Sequence, residues 1–192
     1  MKDIEFLGWM LNSEFSPQGE ETLTMIEPAD AYNKEQRVVV KNSSSSILGM
    51  KLYCFNTTDK DFLPFFNPSK DENNKPPKGL RCFCDYILMV QHESGLFVFL
   101  LEMKRGRHDD AEEQLNASRT FFDYILQSAE RIKTENAIRG FNSSTVRYRR
   151  IVIHKVCSNK RITKNKDLEN KDLNDVIIHD CIDEFRPVCY CR

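Results

Sequence analysis

The sequence predicts an α/β protein built on a central mixed β-sheet flanked by helices, and three observations carry that prediction. Two apolar, β-prone runs, 83–90 and 96–103, flank the polar centre His92-Glu93-Ser94-Gly95, the pattern of a β-hairpin. After the hairpin, apolar residues recur at helical spacing from about Asp110 to Lys133. A β-branched run, YRRIVIHKVC over 148–157, comes next, so hairpin, helix and strand follow in the order of a sheet with a crossover helix.

Composition sets the frame for these elements. The 192 residues are enough to bury a substantial core, and one domain is expected over 1–192. A net charge of -1 excludes a chain that binds nucleic acid by overall basicity. No apolar run approaches the twenty or so residues of a membrane span, and Met1-Lys2-Asp3-Ile4-Glu5 does not open like a signal peptide. A cytoplasmic protein without membrane contact is the resulting expectation. The 7 cysteines are then read as reduced thiols rather than a disulfide framework.

Taken in order, residues 1–10 form a short amphipathic run containing Phe6, Leu7, Trp9 and Met10. Ser16-Pro17-Gln18-Gly19 is a turn, and 20–31 is expected to be a helix that Pro28 ends early. RVVVK at 37–41 and ILGMKLYCF at 47–55 read as strands on either side of a serine-rich loop. Residues 56–78 are rich in Asp, Asn, Lys and Pro yet carry Phe62, Phe65 and Phe66. They read as a long insertion, a surface loop pinned by its aromatic residues or a contact surface for substrate or a partner.

Beyond the hairpin, Arg105-Gly106-Arg107-His108 breaks the strand, and Asp109 or Asp110 can cap the following helix. Ala111, Leu115, Phe122, Ile125, Leu126, Ala129 and Ile132 define its buried stripe. After the strand at 148–157, where His154 reads as a core or edge histidine, 160–174 is polar and DVIIHDC at 175–181 supplies a last strand.

The hairpin carries two acids that buried strands ordinarily exclude, Asp85 and Glu102, with Lys104 two residues on. A two-residue turn at Glu93-Ser94 sets Asp85 directly opposite Glu102, with Cβ atoms about 5 Å apart. A turn at Ser94-Gly95 opposes Asp85 to Lys104 instead, and both registers keep all three side chains on one face. A three-residue loop without a bulge would move Asp85 to the other face. Two converging carboxylates suit a hard cation such as Mg²⁺ or Mn²⁺, and a lysine beside them can orient water and offset charge on a phosphate in hydrolysis.

An aspartate, an apolar hairpin and then E-x-K resembles the PD-(D/E)xK nuclease superfamily, with Cys84 where the family usually has proline. The resemblance implies a restriction-endonuclease-like core in which Asp85 and Glu102 bind Mg²⁺ or Mn²⁺ and Lys104 is the catalytic lysine. Several branches carry a glutamine on the helix after the E-x-K strand, and Gln114 looks like that residue. The tyrosine that the RecB-like branch has four positions later is Ser118 here. An additional acid on the first helix is also common in the family, with Glu20, Glu21 and Glu27 as candidates. The implied activity is hydrolysis of DNA phosphodiesters, with RNA the lesser expectation, in anti-phage defence or restriction alongside a partner protein. Family members often act as homodimers.

Other features bear on partners. From Arg131 to Lys166, Lys and Arg recur with Glu135 as the only acid, a stripe suited to phosphate contact or a solvated face. Arg105, Arg107, Arg147, Arg149 and Arg150 are the candidate nucleic-acid contacts. Two readings compete with the nuclease: a catalytically silent binding or assembly subunit on the same fold, and a zinc-thiolate protein built on the C-x-C pairs Cys82/Cys84 and Cys189/Cys191.

Overall fold

The structure is a computed structural model that describes residues 3–11, 22–27, 35–41, 46–51, 83–104, 110–135, 141–155, 176–181 and 184–191. The elements are α1 (Asp3–Met10), β1 (Thr22–Glu27), β2 (Gln36–Lys41), β3 (Ser46–Lys51), β4 (Tyr86–His92), β5 (Gly95–Lys104), α2 (Ala111–Glu135), β6 (Arg147–Lys155), β7 (Val176–Cys181) and β8 (Glu184–Phe185). Short 3₁₀ turns occupy 143–145 and 187–190.

A mixed five-stranded sheet forms the centre, in the order β3-β4-β5-β6-β7. β3, β4 and β5 are antiparallel neighbours, and β5, β6 and β7 run parallel. α2 makes the crossover between β5 and β6, as a parallel pair requires. β4 and β5 read as almost continuous apolar runs because both of their faces are covered. On one face, Ile87, Met89, Val98, Leu100 and Val152 pack against α1 and against the Leu115, Phe122 and Ala129 stripe of α2. On the other, Leu88, Val90, Phe97, Phe99 and Ile151 meet Met25, Val38, Val40 and Phe185.

That second layer is a three-stranded sheet, β1-β2-β8, which the sequence did not announce. The helix expected over 20–31 is in its described part the strand β1, antiparallel to β2. Leu23, Met25 and Ile26 suit either structure by spacing, and burial of Met25 and pairing with β2 decide for the strand. Tyr86 ties the layers together: the Ile26 amide donates to its hydroxyl at 2.7 Å, and the hydroxyl donates to the Ile26 carbonyl at 3.1 Å. Gly49 in β3 admits the close approach, since a Cβ there would stand 2.7 Å from a Leu23 methyl.

The expected insertion at 56–78, with Phe62, Phe65 and Phe66, lies outside the described residues. Among those described, no helix is long and apolar enough to cross a membrane.

Candidate functional site

The hairpin turns through Glu93-Ser94, pairing His92 with Gly95 and Tyr86 with Leu101. Gly95 absorbs the reversal at φ +131°, a value that side-chain-bearing residues rarely adopt. Of the registers open to the sequence, this one opposes Asp85 to Glu102. Asp85 sits at a bend immediately before β4, one position beyond the Tyr86–Leu101 pair. The Asp85 amide donates to Glu102 Oε2 at 3.2 Å, and the Met103 amide donates to Asp85 Oδ2 at 2.7 Å. Each carboxylate is therefore fixed by a main-chain donor of the facing segment.

Lys104 joins them from the end of β5. Its Nζ lies 2.7 Å from Glu102 Oε1 and donates to Gln114 Oε1 at 3.0 Å. α2 begins directly after Asp110, whose carbonyl accepts from the Gln114 amide, and this places Gln114 in the helix's first turn above the strand end. The four residues Asp85, Glu102, Lys104 and Gln114 thus come together from the bend before β4, from β5 and from α2. Parallel pairing of β5 with β6 puts His154 beside Lys104 on the same face. The sequence predicts only a core or edge histidine at His154, because its place beside Lys104 depends on a crossover pairing between distant strands.

Glu102 is 2 % exposed, and Asp85 is half-buried. Burial, then the charge of Asp85, push the Glu102 carboxyl up to about 8, against Lys104 and the two hydrogen bonds that favour ionisation. Asp85 is also raised, by burial first, with the Met103 amide and Lys104 acting the other way. One lysine does not offset two desolvated carboxylates. The remaining deficit is of positive charge, and the donors present are carboxylate oxygens, so Asp85 and Glu102 are the residues that could hold a hard divalent cation. Among the described residues no set of three His, Cys, Asp or Glu side chains gathers, so the candidate centre consists of two protein carboxylates.

Glu27, one of the candidate additional acids, ends β1 and is not on a helix, while Glu20 and Glu21 lie outside the described residues. Arg105 and Arg107 also lie outside them. Arg147, Arg149 and Arg150 do not form one surface, because successive residues of a strand point to opposite faces. Arg147 is exposed, its guanidinium 5.5 Å from the centre of the Phe97 ring. Arg149 is buried beside the C-terminal turn, 5.2 Å from the same ring, and donates from Nε to the Tyr190 carbonyl at 2.9 Å. Arg150 lies on the α2 side, donating to Asn116 Oδ1 at 2.6 Å and pairing with Glu112 at 3.6 Å.

The thiols do not assemble either. Cys84 packs in the helix-side core although strict alternation from Asp85 would put it on the opposite face, because the chain bends at Asp85 before β4 starts. Cys191 is buried on the other side of the sheet and Cys189 is exposed. Cys82 lies outside the described residues. The sheet therefore separates Cys84 from Cys191, and the four-thiolate site is not formed.

Comparison with known proteins found no matching family model, no matching curated protein and no matching solved structure.

Proposed function

We propose that this chain is a metal-dependent nuclease of the PD-(D/E)xK type, hydrolysing phosphodiester bonds of DNA. The observation that carries the reading is the convergence of Asp85, Glu102, Lys104 and Gln114 at one end of the hairpin. Burial of two adjacent carboxylates costs stability, and a fold gains nothing from it unless a bound group or reaction uses it.

The side chains divide the work by their donors and acceptors. Asp85 and Glu102 would hold Mg²⁺ or Mn²⁺, which when bound supplies polarisation of the phosphate and positive charge against the two acids. Lys104 engages Glu102 and Gln114 with two of its three N–H groups, and the third is available to a water or a phosphate oxygen. Gln114 Oε1 accepts from Lys104, so its amide NH₂ is the end presented to substrate. As the water oxygen bonds to phosphorus, the water's proton passes to solvent. The bond from phosphorus to the leaving oxygen breaks, and that oxygen takes a proton from solvent. His154 adds a polar group beside Lys104 at the same strand ends, where open α/β sheets bind their ligands. A place in anti-phage defence or restriction, with a second protein supplying the target, accompanies this reading by resemblance.

The test is cleavage of linear and circular plasmid DNA with Mg²⁺ or Mn²⁺, comparing wild type with Glu102→Ala and Lys104→Ala. The reading expects metal-dependent cutting that both substitutions remove. Cutting that persists in both variants would place any activity elsewhere, and absence of both cutting and Mn²⁺ binding in the wild type would overturn the reading.

A further inference from the structure

Ser118 lies on α2, one helical turn after Gln114, and is completely buried. Its hydroxyl accepts from the Cys84 amide at 2.7 Å and donates to the Gln114 carbonyl at 2.9 Å. A buried serine in mid-helix ordinarily satisfies itself by bonding back to the preceding turn. Here the same hydroxyl also satisfies a main-chain donor of another element, at the residue next to Asp85.

These two bonds complete a closed circuit. From the Cys84 amide it runs through Ser118 to the main chain of Gln114, out along the Gln114 side chain to Lys104 Nζ, and on to Glu102. The Asp85 amide on Glu102 then closes it back to the segment that began it. Without Ser118, the Cys84-Asp85 bend loses this hydrogen bond to the helix and keeps to α2 the apolar packing of its neighbours, such as Phe83 on Phe121, which fixes orientation less sharply than a hydrogen bond. We infer that Ser118 is a positioning residue, which fixes the Asp85 carboxylate relative to Gln114 and Lys104 by holding the Cys84 amide to the helix. Deepening the nuclease reading, this assigns the hydroxyl a role in catalysis exerted through Asp85 and not by contact with substrate. Partners that orient metal-binding or catalytic groups from behind typically contribute about 10- to 100-fold to affinity or activity.

The experiment compares wild type, Ser118→Ala and Tyr148→Phe. Tyr148 donates to Asp123 Oδ1 at 2.5 Å farther along the same helix, so its loss removes a helix-to-strand tie away from the cluster. Hydrogen exchange is followed at the amides of Cys84 and of Met103, the latter because its acceptor is the Asp85 carboxylate. Mn²⁺ affinity is measured by calorimetry, and kcat and KM on plasmid DNA. Ser118→Ala is expected to speed exchange at both amides, to weaken Mn²⁺ binding and lower kcat by about 10- to 100-fold, and to leave KM within about twofold. Tyr148→Phe is expected to change none of these. Unchanged Met103 exchange in Ser118→Ala overturns the inference, as does an equal loss in Tyr148→Phe, which would reduce Ser118 to general helix packing. If wild type neither cuts nor binds Mn²⁺, the nuclease reading fails by itself. Faster Met103 exchange confined to Ser118→Ala would then still support the positioning role.

Discussion

Glu102 and Glu130 have nearly the same partners and opposite electrostatics. Glu102 has Lys104 Nζ at 2.7 Å and the Asp85 amide at 3.2 Å; Glu130, near the far end of α2, has Lys133 Nζ at 3.4 Å and the Ser143 amide at 2.6 Å. The carboxyl of Glu102 is raised, by burial above all, whereas that of Glu130 is lowered, chiefly by the Ser143 amide. What separates them is desolvation and a second acid: Glu102 is 2 % exposed beside Asp85, while the Glu130 side chain is 31 % exposed. A lysine and an amide suffice to make a carboxylate a structural clamp at the surface. The same two donors, buried against another carboxylate, leave an uncompensated charge, and that makes the hairpin end the candidate site.

The widest gap between the two glutamates is expected in catalysis. Glu102→Ala should lower metal-dependent DNA cleavage by about 10²-fold or more, the scale for losing a group that acts on developing charge. Glu130→Ala should cut at the wild-type rate in the same assay, and a comparable loss there would erase the distinction.

Stability against pH should separate them by sign. Folding favours the protonated form of Glu102, so its contribution is full below its ordinary value of 4.5 and is lost as pH rises toward about 8. Glu102→Gln is therefore expected to stabilise the fold at pH 8, by on the order of 1–2 kcal/mol after allowing for coupling to Asp85, and to make no gain at pH 4. Glu130 works the other way: its contribution is present above 4.5 and fades as pH falls through its lowered value. Glu130→Gln should cost only a few tenths of a kcal/mol at pH 7, as exposed pairs do. Thermal melts at pH 4 and 8 measure both, and parallel pH profiles for the two variants would contradict the assignment.

Metal sharpens the comparison further. Mn²⁺ at about 100 times its dissociation constant should raise the stability of wild type by about 2.7 kcal/mol, and chelation by EDTA should reverse this. Because the cation competes with the proton on Glu102, the shift should shrink as pH falls below about 8. Glu130→Gln should retain the whole effect and Glu102→Gln almost none of it. The smallest contrast is local: Tyr148→Phe should cost about 1 kcal/mol of stability with cleavage unchanged, since its bond to Asp123 ties helix to strand without touching the cluster.

The site was more legible in the sequence than the fold around it. Strand parity is a local fact, so counting along the hairpin put Asp85, Glu102 and Lys104 on one face; which of two registers opposes Asp85 to Glu102 is decided by the turn at Glu93-Ser94. Helical spacing put Gln114 near the start of the helix, and only the family resemblance singled it out. Alternation along 147–150 also separates Arg147 and Arg149 from Arg150, a distinction that charge alone does not carry. That Arg149 is buried was beyond local reading, because its cover comes from the C-terminal segment around Tyr190. The same holds for the second sheet: TLTMIE is too short to distinguish a strand from a helix, and its pairing with β2, and that of β2 with the two-residue β8, are tertiary decisions.

One consequence of the hairpin-plus-helix arrangement concerns the order in which the chain acquires its structure. The contacts that build the cluster close short stretches of chain: 10 residues from Lys104 to Gln114 and 17 from Asp85 to Glu102. The Tyr86 tie to the second sheet closes 60. Loop-closure entropy grows with the logarithm of that length, which favours the cluster over the tie by about 1 kcal/mol before any packing is counted. Local contacts of this kind form fast, so the acids can meet before the outer sheet docks on the far face. A folding nucleus on the hairpin would then carry the repulsion between Asp85 and Glu102 into the transition state. Relieving that repulsion, by a cation or by Glu102→Gln, would quicken folding as well as slow unfolding.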